Sequence, residues 1–172
     1  MKNLHTGGAR TSVRAIFSTA CTALALATAA QADDGPARYH MSVVGENREL
    51  SFFTAGDYAG AIEFLEGERH GRSGKFSYYN NLCVAQTMLQ QFAAAAANCD
   101  AAVERADRSM KLSMGGHSDR LDYATALSNR GVLRAHSSDL AGAESDFEEA
   151  IGLRAHYLGA YRNRQRLGDE PA

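Results

Sequence analysis

Apolar and polar positions change their spacing three times along the chain. Residues 15–29 are dominated by apolar and small side chains, with Lys2, Arg10 and Arg14 on the amino side. Residues 39–44 form the only strand-like run, inside a lead-in over 33–46 that reads as extended or irregular. Beyond the lead-in the spacing is helical. Gly131, Ala143, Phe147 and Ala150 are separated by 12, 4 and 3 residues, and Cys83, Ala95, Cys99 and Ala102 repeat those separations. The last three of each set fall on one helix face, and the first lies one helix earlier, small where two helices must approach closely. The pattern predicts helices near 76–89, 92–109, 119–136, 140–153 and 157–167, preceded by a degenerate helical pair over 47–68. The Gly- and Ser-rich stretch 109–118 reads as a loop, with Ser118 as the N-cap of the next helix.

These pairs of helices recur. Gly56-Asp57-Tyr58-Ala59-Gly60-Ala61-Ile62, Gln91-Phe92-Ala93-Ala94-Ala95 and Asp139-Leu140-Ala141-Gly142-Ala143 align on their alanines. Ala61 to Ala95 is 34 residues, and Ala95 to Ala143 is 48, which is the same interval with 14 inserted. A period of 34 belongs to a helix–turn–helix unit. The match over residues 51–167 resembles the tetratricopeptide repeat family, with small residues at repeat positions 8, 20 and 27 and an aromatic at 24. Ala155 stands where that family often has a closing proline. The expected fold is all-α: a short solenoid with repeats over about 47–68, 76–109 and 119–155. A polar, Arg-rich capping helix over 157–167 closes it.

The amino-terminal run changes the expected compartment. A basic region, about 15 apolar residues, and Ala30-Gln31-Ala32 before Asp33-Asp34 are the three parts of a secretory signal, cleaved after Ala32. The run is shorter than the ~20 residues that span a bilayer. The residues before Cys21 match a lipoprotein signal poorly. The mature protein is expected to be soluble and periplasmic or secreted from a bacterium, with no stable membrane insertion. Without residues 1–32 it carries 15 basic and 20 acidic side chains, a formal charge of −5. Such a domain has no electrostatic reason to seek nucleic acid.

No catalytic constellation can be assembled. The chain has no HExxH or GxSxG motif, and Gly71-Arg72-Ser73-Gly74-Lys75 lacks the flanking residues of a phosphate loop. Met110, Met114 and His117 could offer soft ligands to copper, against the plainer reading of methionines packed at a helix end. The expectation is a protein without a cofactor.

The resemblance assigns further residues. Cys83 and Cys99 occupy positions 8 and 24 on facing helices, about one turn out of register. Two readings are open: a pair of small buried thiols, or a disulfide. Similar exported repeat proteins often carry a cysteine pair in these places, and the bridge is the expectation. Asn81, Asn129 and Asn163 share one repeat position, on the face that lines the concave groove in tetratricopeptide domains. There an asparagine can both donate to and accept from the backbone of an extended peptide. Arg162 and Arg166, one turn apart on the last helix, would meet a ligand carboxylate. The implied function is a non-catalytic adaptor for a protein or peptide; a copper or small-ligand carrier and a non-catalytic subunit of an enzyme complex are the alternatives. The sequence leaves the partner and the oligomeric state open.

Overall fold

The computed structural model describes residues 39–72 and 74–169; the signal segment, its cleavage site and Cys21 lie outside them. Among the described residues, eight helices follow the extended residues 39–44. They are α1 (Asn47–Thr54), α2 (Tyr58–Gly67), α3 (Arg69–Arg72), α4 (Phe76–Met88), α5 (Phe92–Leu112), α6 (His117–His136), α7 (Leu140–Leu153) and α8 (Leu158–Gly168). Helices α4 and α5, and α6 and α7, pair as hairpins, and α5 packs on α6 to join them. Helix α2 packs on α4 at one end, and α8 closes the other against α6 and α7. This is the all-helical repeat solenoid expected from the 34-residue period.

Local chemistry sets each turn. The α1–α2, α4–α5 and α6–α7 loops each place one residue in the left-handed region just before the N-cap: Gly56, Gln90 and Ser138. In the first and third loops Asp57 and Asp139 then accept from the backbone N–H of Gly60 and Gly142, at 2.9 and 3.0 Å. A Cβ on either glycine would collide with that carboxylate. The second loop has Gln91 in the capping place, with no side-chain cap bond, and Ala94 in the glycine's place. The alanine is tolerated because no carboxylate folds over it.

Small residues sit where the helices touch. Gly131 on α6 faces Phe147 on α7 so closely that a Cβ would lie 2.6 Å from its ring. Cys83 on α4 and Cys99 on α5 hold the equivalent positions, and there the contact is a disulfide with Cα atoms 4.8 Å apart. Both sulfurs are buried with Ala95 and Leu133. A buried ionic cluster ties α7 to α6: Asp146, 2 % exposed, accepts two hydrogen bonds from Arg130 and lies 2.9 Å from the Arg134 guanidinium. Burial lowers the Arg130 pKa and the Asp146 carboxylate raises it; the carboxylate prevails.

One boundary differs from expectation. Helix α5 continues through Leu112 and α6 begins at His117 after an uncapped Gly116, so the loop is shorter than 109–118. Ion pairs one turn apart, Glu104 with Arg108 and Asp107 with Lys111, support the extra turn. Met114 in the left-handed region and the bond from the Gly115 N–H to the Met110 carbonyl end it. Asp119, rather than Ser118, ties the loop down by accepting from Ser109 and Ser113, and those bonds lower its pKa.

Candidate binding groove

The asparagines at the shared repeat position come together in one line. Asn81 projects from α4, Asn129 from α6 and Asn163 from α8, and each is fully buried. What buries them is the chain's own lead-in. Asn163 accepts from the His40 N–H at 2.7 Å and donates to the His40 carbonyl at 2.7 Å. Asn129 does the same for Ser42 at 2.9 and 2.8 Å, and Asn81 for Val44 at 3.0 and 2.7 Å. Residues 39–44 therefore cross the helices in an order opposite to the repeats, with every second residue clasped by one carboxamide.

The periodicities explain the fit. An extended chain advances about 6.7 Å in two residues and presents the N–H and C=O of alternate residues to the same side. Each carboxamide meets that pair as a facing strand residue would in an antiparallel ladder. The side chains then alternate between two environments. Tyr39 and Met41 pack with Val132, Phe147 and Leu167. Met41 also reaches the disulfide cluster. His40 is exposed, and Ser42 accepts from the Tyr157 hydroxyl at 3.0 Å.

Neighbouring polar groups complete the ladder. Asn80, fully buried, accepts from Asn129 at 2.8 Å and donates to the Ser42 carbonyl at 2.9 Å. Glu49 of α1, also buried, accepts from Asn81 at 2.6 Å. A Cβ at Gly45 would lie 2.6 Å from the Glu49 carboxylate, so glycine at the bend between lead-in and α1 leaves room for that side chain. Asn80, Glu49, Tyr157 and the lead-in itself were not among the expected site residues. The signals available were the Asn80-Asn81 doublet and the period-two run over 39–44.

The remaining expected residues are placed elsewhere. Arg162 is exposed, beside Leu140, Leu158 and Tyr161 at the carboxyl end of the solenoid rather than on the ladder. Arg166 is half-buried in the last turn of α8. Met114 is 94 % exposed, and the Arg154 guanidinium lies against the His117 ring, its Nη1 2.6 Å from Nε2. An always-protonated guanidinium there competes with any metal for the imidazole lone pair. Among the described residues no helix is long and apolar enough to cross a membrane.

Comparison with known proteins places the fold. No protein-family model and no curated protein matches the chain. Among solved structures, the first TPR domain of the human RPAP3 protein superposes with a TM-score of 0.58 at 23% identity. The match covers 71% of this chain and 85% of that one. The fold is thus that of a tetratricopeptide-repeat domain.

Proposed function

We propose that this chain is an exported, non-catalytic scaffold that binds a protein or peptide partner across the concave face of its helical repeats. The observation that carries the reading is the ladder formed by Asn81, Asn129 and Asn163, which holds an extended backbone through its peptide groups at every second residue. Peptide-group contacts of this kind are indifferent to side-chain identity, as suits a surface for extended chains. Because residues 39–44 already satisfy the ladder, the free protein offers a partner the lead-in's outer side and the helices beside it. Export is supported by the signal-like residues 1–32 and by the disulfide, which belongs in an oxidising compartment.

The test is crosslinking in the exported compartment followed by intact-mass measurement. A mature chain beginning at Asp33, in stoichiometric complex with one protein, is the expected result. Recovery of the full precursor mass from membranes would overturn the export reading, and a chain with no crosslinked partner would overturn the scaffold reading.

A further inference from the structure

We infer that the lead-in is a docking strand whose outward edge pairs with a second, uncharged extended peptide, and this rests on the scaffold reading above. In an extended segment the peptide groups of alternate residues point to opposite sides. Those of His40, Ser42 and Val44 point at the helices and are held there. Those of Met41 and Val43 point the other way, and among the described residues neither N–H nor C=O of either has a hydrogen-bond partner. Two donors and two acceptors in strand register, on a backbone pinned by seven side-chain hydrogen bonds, form a template for strand addition.

The surroundings define the occupant. Met41 and Val43 form one side of an open cleft of about 520 Å³, whose other walls include Leu50, Phe53, Tyr58 and Val84. No carboxylate, lysine or arginine lines it, and its one imidazole, His40, is exposed to water. A charged side chain entering that cleft would lose hydration with no counter-charge in return. An uncharged segment of alternating apolar and small polar residues fits both features: its peptide groups meet the free edge, and its apolar side chains fill the cleft. Replacement of the lead-in by such a peptide is disfavoured, since the resident segment is tethered through Gly45 and acts at an effective concentration of order millimolar.

The probe is the blocked peptide acetyl-Ser-Val-Thr-Val-Thr-Val-Ser-amide, added to the mature, disulfide-bonded protein. Residue-resolved amide exchange should show Met41 and Val43 slowed at least tenfold on binding, with His40, Ser42 and Val44 as protected as before. Val43→Pro removes one unpaired N–H and leaves all seven ladder bonds in place. It should leave Tm unchanged and weaken the probe at least tenfold, whereas Val44→Pro should lower Tm. Should Val43→Pro fail to fold, probes N-methylated at alternate residues decide: one of the two methylation registers should bind at least tenfold more weakly.

Three results would each overturn the inference: no binding at millimolar probe, equal binding by Val43→Pro and both methylated probes, or loss of protection at His40, Ser42 and Val44. The last would mean that the probe takes the lead-in's place. A natural partner crosslinked only to another surface would remove the docking strand and leave the scaffold reading standing.

Discussion

Asn129 sits at the middle of the ladder, where its carboxamide holds both polar groups of Ser42 and donates to Asn80. After Asn129→Ala the Ser42 carbonyl keeps its bond from Asn80, but the Ser42 N–H and the Asn80 Oδ1 lose their partners, which costs about 2–3 kcal/mol. For a domain of this size that lowers Tm by roughly 6–12 °C, and a thermal melt will show it. Had the free asparagines faced water, as the groove position alone suggests, the same substitution would have cost little. Backbone strain acts at a second site. Gln90 is held at φ 57°, where the first loop has Gly56, and a non-glycine residue there costs about 1–2 kcal/mol. Gln90→Gly relieves the strain at some cost in unfolded-chain entropy, so denaturant unfolding should show a gain of about 0.5–1 kcal/mol. The identities at these positions are readable from sequence; their conformations follow from the loop they share.

Between elements, one contact is solved in two ways. Gly131 against Phe147 closes the α6–α7 hairpin by giving up a side chain, and Cys83–Cys99 closes α4–α5 with a covalent bond. Replacing both cysteines by alanine removes a cross-link around 15 intervening residues, worth about 3 kcal/mol. Urea unfolding should show a lower midpoint and a larger m-value, as the unfolded chain expands. Helix boundaries inside the repeats were legible because small and aromatic positions recur at fixed intervals. The end of α5 was not, since Gly and Ser over 109–118 read as loop. Its last turn is held instead by ion pairs and by the left-handed Met114.

At the scale of the whole molecule, the solenoid is built around a strand that is not part of any sheet. The repeat register placed Asn81, Asn129 and Asn163 in one line, and the residue type announced a backbone contact. Which backbone they hold was not legible. Nothing local in residues 39–44 distinguishes a free tail from a segment whose residues 40, 42 and 44 match three asparagines 37 to 123 positions away. That match exists only once the helices are assembled. The same long-range closure explains two further buried polar residues: Asn80 donates to the Ser42 carbonyl of the lead-in, and Glu49 accepts from Asn81.

Amide hydrogen exchange over residues 40–44 of the free protein, resolved by NMR, tests this arrangement most directly. The account predicts alternation: the N–H groups of His40, Ser42 and Val44 exchange slowly, and those of Met41 and Val43 exchange at least tenfold faster. Uniformly fast exchange across all five would mean that the lead-in does not occupy the groove, and uniform protection would mean that its outer edge is already paired.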